Sequence, residues 1–160
     1  MSKYILPNDN EVRVILGMLF GGETAVKPGT EIKSNGSKGS SFTGTYLNDA
    51  NEVVGACVCD RAFTVYAGAA LSMIPAGGAA DVVRAGEISK VMILNLGEVM
   101  NILSRTMINN TTPHLRYHQV YDDKEMPADI AAAAKTLTTQ KNYLVSIPDY
   151  GSGLLSLRVI

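Results

Sequence analysis

The chain has 160 residues, 46% of them apolar, enough for one sizeable core and too few for two independent domains, so a single domain over 1–160 is predicted. Lys and Arg number 14 against 15 Asp and Glu, which leaves no strong field of either sign and disfavours nucleic acid and anionic membranes as partners. Ser2 to Asn10 is short and polar, without the basic-then-apolar order of an export signal, and a cytoplasmic location is the expectation.

Asn8-Asp9-Asn10 offers capping side chains to a helix over Glu11 to Phe20, whose apolar positions Val12, Ile15, Leu16 and Leu19 share one face and which Gly21-Gly22 stops. The stretch Lys27 to Gly44 is rich in Gly, Ser and Lys, and Ser34-Asn35-Gly36 between Glu31-Ile32-Lys33 and Ser41-Phe42-Thr43 predicts a mobile hairpin. Phe42 to Leu47 and Val53 to Val58 read as an antiparallel pair joined by a turn at Asn48-Asp49-Ala50-Asn51. Cys57 and Cys59 fall on one face of that second strand and read as buried free thiols.

Asp60 can cap a helix from about Arg61 to Ile74, with a strand through Phe63 to Tyr66 as the competing reading. Ala62 to Ala80 carries no charge, but Gly68, Pro75 and Gly77-Gly78 break it, so it reads as a buried helix and a turn rather than a membrane span. A second helical block is predicted from about Ala79 to Asn109, bent at Gly86 and closed by Thr111-Thr112-Pro113. A strand over His114 to Tyr121, a short helix over Met126 to Leu137 opened by Pro127, and a final hairpin of Tyr143–Ile147 with Leu154–Val159 complete the order. Strands outnumber crossover helices and come in adjacent pairs, so the fold class predicted is α+β, a mainly antiparallel sheet with helices packed against it.

The second helical block carries the most informative pattern. At about 100° per residue, Glu87 and Arg105 fall within roughly 20° of Glu98, and Asn95 and Asn101 within roughly 60°. Met92, Ile93, Leu96, Val99, Met100, Leu103 and Met107 form the opposite, apolar stripe and are predicted core. Val91, Leu94 and Ile102 lie beside Glu98 on the polar side, an apolar intrusion that suits a docking surface.

The strings Ala85-Gly86-Glu87-Ile88-Ser89 and Leu94-Asn95-Leu96-Gly97-Glu98-Val99-Met100-Asn101-Ile102-Leu103 resemble the phosphatase helix of the CheC/CheX/FliY family. That family acts on phosphorylated chemotaxis response regulators. Its helix carries E-x-x-N followed by an apolar residue, matched here by Glu98-Val99-Met100-Asn101-Ile102, and Ala69 to Pro75 resembles the segment before it. The family pattern has Asp or Ser one turn before the Glu, where this chain has Leu94, and a Pro at the position of Lys124. The first helix offers Glu11-Val12-Arg13-Val14, without the Asn of a second motif, so the resemblance implies one site, as in CheX-type members.

The resemblance implies a phosphorylated receiver domain as partner, and dephosphorylation with no cofactor of the chain's own, because a receiver supplies its own phosphoaspartate and Mg²⁺. Asn101 would orient the attacking water and Glu98 would pair with a lysine of the receiver, with Val91, Leu94, Asn95, Ile102 and Arg105 as docking residues. The alternative it implies is a non-catalytic module that docks a receiver or a flagellar-switch component. A homodimer, through an edge strand or a swapped hairpin, is left open.

Other constellations carry less. His114 and His118, four apart on a strand, would stand about 13 Å apart at roughly 3.3 Å per residue, too far to share a metal, and no metal site is predicted. Gly36-Ser37-Lys38-Gly39-Ser40 lacks the spacing of a phosphate loop. Asp122, Asp123 and Glu125 read as a solvated turn and helix-start charges.

Overall fold

Among the described residues, side-chain caps open three of the α-helices and a proline precedes the other two. In the computed structural model, which describes residues 2–160, the Asn8 side chain accepts from the Glu11 amide while Glu11 accepts from the Asn8 amide. This reciprocal pair opens α1 (Asp9–Phe20). Asp60 accepts from the Phe63 amide and opens α2 (Arg61–Leu71). Pro75 precedes α3 (Ala76–Ala85), Ser89 caps α4 (Lys90–Leu103) through the Met92 amide, and Pro127 precedes the short α5 (Ala128–Ala134).

Six strands, β1 (Ala25–Pro28), β2 (Ser41–Leu47), β3 (Val53–Asp60), β4 (Arg116–Asp122), β5 (Thr139–Ile147) and β6 (Gly151–Val159), form one sheet in the order β1-β5-β6-β3-β2-β4. Every neighbouring pair is antiparallel, and with the helices laid on it the sheet is of the α+β class. Alternate residues point to one face: Phe42 and Tyr46, Cys57 and Cys59, Tyr143, Val145 and Ile147, and Leu155, Leu157 and Val159 are all buried there. They pack against Val12 and Leu16 of α1, Phe63 and Ala67 of α2, and Leu96, Val99, Met100 and Leu103 of α4.

The opposite face excludes water at its centre, while Gln119 and Ser152 toward its sides are exposed. Thr43, Thr45, Ala56, Val58 and Ser156 are buried on it, and α5 lies against β3. Asp123, in a single 3₁₀ turn after β4, accepts hydrogen bonds from Ser41 Oγ at 2.5 Å and Thr43 Oγ1 at 2.6 Å. Asp122 accepts from the Gly39 amide at 2.8 Å, and Glu125 pairs with Lys38 at 3.3 Å. The acidic cluster is therefore a latch on the loop before β2, rather than solvated charge alone.

Three expectations need correction. The predicted hairpin over 27–44 does not form: residues 25–28 are the edge strand β1, paired with β5, while Ser41 begins β2 and pairs with β3 and β4. The predicted helix to Ile74 stops at Leu71, because Met73 takes a left-handed conformation at φ 59°. The block over 79–109 is two helices and a 3₁₀ turn (Ser104–Thr106), not one bent helix. Gly86 is extended there, and the Arg61 guanidinium donates to the carbonyls of Val82, Val83, Gly86 and Gly39. A cation that satisfies the last carbonyls of α3 makes the break favourable.

The strands predicted over 42–47 and 53–58 lie within β2 and β3, the helix after Asp60 starts where predicted, and the predicted C-terminal hairpin lies within β5 and β6. Cys57 and Cys59 are buried and unbridged, with their sulfurs 3.9 Å apart. Among the described residues, no helix is long and apolar enough to cross a membrane.

Candidate functional site

Ser89 fixes the first turn of α4, and the helix then lays its apolar stripe on the sheet: Met92, Leu96, Val99, Met100, Leu103 and, past its end, Met107 are buried. Ile93 is half-buried. The opposite side carries Glu98 and Asn101, one turn apart and both exposed. Neither side chain has a hydrogen-bond partner among the described residues, so a carboxylate and a carboxamide stand free on one helix face. Val91 and Leu94, 54% and 70% exposed, lie on the turns before them.

The remaining residues of the pattern separate. Arg105 is exposed on the 3₁₀ turn that follows α4. Ile102 is half-buried and lines, with Arg105, Val14 and Met18, an apolar groove of about 600 Å³ between α4 and α1. Asn95 faces α2, where its side-chain nitrogen donates to the Gly68 carbonyl at 3.1 Å and Ser72 Oγ at 2.6 Å. It braces the two helices at a point of close approach, since a Cβ on Gly68 would stand 2.8 Å from Met92 Cα. Glu87 is not on the helix but in the link between α3 and α4.

On α1, Glu11 is committed to the Asn8 cap, and Val14 is exposed where a second motif would place its Asn. The groove beside it is thus apolar rather than a second polar site.

Two tyrosines that the sequence reading passed over lie beneath α4. Tyr46 of β2 is fully buried, and its hydroxyl donates to the Met100 carbonyl at 2.5 Å. Tyr117 of β4 meets Tyr46 edge to face, with ring centroids 6.3 Å apart. Burial foremost, then the neighbouring Cys57, the Glu98 carboxylate and Tyr121, push the Tyr117 hydroxyl up to about 12, so it stays protonated at neutral pH. The signal that could have found both is their aromatic, β-branched strand context, but which helix they would face is a tertiary fact.

A second, more polar cleft of about 920 Å³ opens between the 35–40 loop and the α3–α4 link. The amides of Asn35, Gly36, Ser37, Gly39 and Ser40 are all bonded within the chain, so this loop does not present a ring of free donors to a phosphate. His114 lies outside β4 and bonds Asp49 at 2.8 Å. Among the described residues, no three His, Cys, Asp or Glu side chains are grouped to hold a metal ion.

No protein-family model matches the chain, and no curated protein matches it significantly. Solved structures do. FliY from Thermotoga maritima superposes with a TM-score of 0.52 at 12% identity, over 92% of this chain and 81% of that one. The CheX–CheY–BeF3–Mg complex from Borrelia burgdorferi gives 0.51 at 13% identity, over 96% and 98% of the two chains. The FliM–SpeE complex from H. pylori gives 0.57 at 8% identity, over 94% and 80%. Across nearly its whole length, this chain has the fold of the CheC/CheX/FliY family.

Proposed function

We propose that the chain docks the receiver domain of a phosphorylated response regulator through α4 and stimulates hydrolysis of its aspartyl phosphate. The observation that carries this reading is the pair Glu98 and Asn101, exposed together and free of partners on a helix whose other side is locked into the core. Within a fold shared with CheX, which a solved structure holds in complex with CheY, that is the arrangement an inserting helix needs.

The receiver supplies the phosphoaspartate and the Mg²⁺, and little covalent chemistry is left for a helper to perform. Asn101 enters the receiver's site and orders a water in line with the phosphorus, a contribution of position rather than of acid or base strength. Glu98, one turn earlier, pairs with a cation of the receiver and fixes the register. Val91 and Leu94 give the contact its apolar part, with Ile102 and Arg105 at its far end. Asn95 is left out, because its amide is already engaged with α2.

A second reading, a docking module without hydrolysis, is favoured by Leu94: a large exposed apolar side chain stands where the family pattern has Asp or Ser. One experiment separates the two. The lifetime of the aspartyl phosphate is measured on receivers of the same genome, with the protein, with Asn101→Ala and with Glu98→Ala, alongside binding. A shortened lifetime restored by Asn101→Ala supports hydrolysis, binding without shortening supports the docking module, and no binding to any receiver removes both.

A further inference from the structure

The residue immediately before each proposed site residue is held from behind by a tyrosine. Met100, which precedes Asn101, has a carbonyl that accepts from the Ser104 amide within the helix and a second time from the Tyr46 hydroxyl. Gly97, which precedes Glu98, rests on Tyr117: a Cβ at position 97 would stand 2.8 Å from the Tyr117 oxygen and 3.5 Å from Cζ. A hydrogen bond of 2.5 Å and a contact too close for a Cβ unless helix or ring shifts set the height of one helix at two points, one turn apart.

The sheet is irregular at this spot. Thr45 of β2 faces Gln119 of β4, but the next residue, Tyr46, faces Tyr117, so His118 is skipped. In a regular ladder His118 would oppose Tyr46. The bulge turns the Tyr117 ring onto the helix side of the sheet, and re-aiming a side chain is the usual local effect of such an insertion. Gly44, two residues before Tyr46, leaves the space that Met100 fills, since a Cβ there would lie 2.2 Å from the Met100 sulfur.

We infer that Tyr46 and Tyr117 are positioning residues, which set the height and rotation of α4 and so the presentation of Glu98 and Asn101 to the partner. For that last clause the inference rests on the function proposed above. Each residue of a helix turns about 100° and rises about 1.5 Å, so a displacement at 97 or 100 passes directly to its successor. Sites of this kind tolerate about 0.5 Å of misplacement, and 1 Å costs on the order of a hundredfold in rate.

The test is Gly97→Ala, Tyr117→Phe and the two combined, with Tyr46→Phe in parallel. Two readouts are taken after thermal melts confirm folding: NMR amide shifts of Asn101 and Ile102, which are not sequence neighbours of position 97, and the receiver dephosphorylation rate at saturating and subsaturating receiver. Gly97→Ala, a better helix former pressed against the tyrosine oxygen, is expected to move both amides and lower the saturating rate by about tenfold or more. Adding Tyr117→Phe leaves Cζ as the nearest ring atom, at an ordinary 3.5 Å, and restores both readouts. Tyr46→Phe lowers the saturating rate while the receiver concentration giving half the maximal rate stays the same.

Unmoved amides in Gly97→Ala, or a defect that Tyr117→Phe does not relieve, overturns the inference. If the wild-type protein shortens no receiver's phosphate lifetime, the proposed function falls instead, and the amide shifts alone decide the positioning.

Discussion

Asn95 divides bracing from docking, and its replacement gives a number for each. Its side-chain nitrogen makes two bonds to α2, at 3.1 Å to the Gly68 carbonyl and 2.6 Å to Ser72 Oγ. At about 1 kcal/mol net per neutral hydrogen bond, Asn95→Ala is expected to destabilise the fold by about 2 kcal/mol. For a chain of this size that lowers Tm by roughly 4–8 °C. Asn95→Asp keeps the shape and can accept from the Ser72 hydroxyl, but it sets a carboxylate against the Gly68 carbonyl, so at neutral pH it too costs about 2 kcal/mol. A protonated aspartate regains one donor, which raises its carboxyl in the folded state. The loss is therefore smallest below the ordinary aspartate range and grows as pH rises through the raised value. Urea unfolding of the three proteins at pH 4 and pH 7 measures this. An Asn95→Asp variant as stable as wild type at pH 7, or an Asn95→Ala variant that loses receiver affinity while fully folded, would refute the assignment.

The latch at Asp123 is tested by Asp123→Ala, which strips two buried hydroxyls of their acceptor and should cost about 3 kcal/mol in denaturant unfolding, with Asp123→Asn recovering part of it. Burial holds the Asp60 carboxyl above its ordinary value, against the Phe63 and Leu154 amides that lower it. Its contribution to stability is thus full below the ordinary aspartate range and is lost as pH rises through the raised value; Asp60→Asn keeps the α2 cap and should flatten that part of the stability–pH curve. Burial first, and then the contact with Cys57, pushes the Cys59 thiol well up, and Cys57 is itself buried out of a reagent's reach, so both cysteines should resist an aromatic disulfide reagent at pH 8 until urea is added.

What the sequence made legible was whatever local pattern controls. Asn8 and Asp60 name their helix starts because a capping side chain acts within three residues. The stripe from Met92 to Met107 names the buried side of α4 because burial follows helical period, and with it the exposed side on which Glu98 and Asn101 stand. The failures are long-range. β1 is four residues ending in Pro28, too short to read as a strand until β5 arrives beside it. The gap between α3 and α4 depends on Arg61, more than twenty residues upstream, reaching three carbonyls. A continuous helix puts Glu87 on the face of Glu98 only while that gap is unseen, and a wheel puts Asn95 on the docking surface because it shows direction and not the neighbour that lies there. The tyrosines under α4 are the same lesson, since a bulge opposite Tyr46 leaves no mark in either strand's composition.

The place of β6 in the sheet bears on how the chain is made. It is the sixth strand along the chain but lies between β5 and β3, joined to Tyr143 on one side and Cys57 on the other through Leu155 and Leu157. A nascent chain that has emerged only as far as β5 holds two separate ribbons, β1–β5 and β3–β2–β4, each with an apolar edge bare toward the other. Pairings such as Gly55 with Val159 span about a hundred residues, and closures of that length are slow. Those bare edges are ready templates for pairing with another chain, so damage to β6 should show as aggregation during synthesis before it shows as a lower melting temperature.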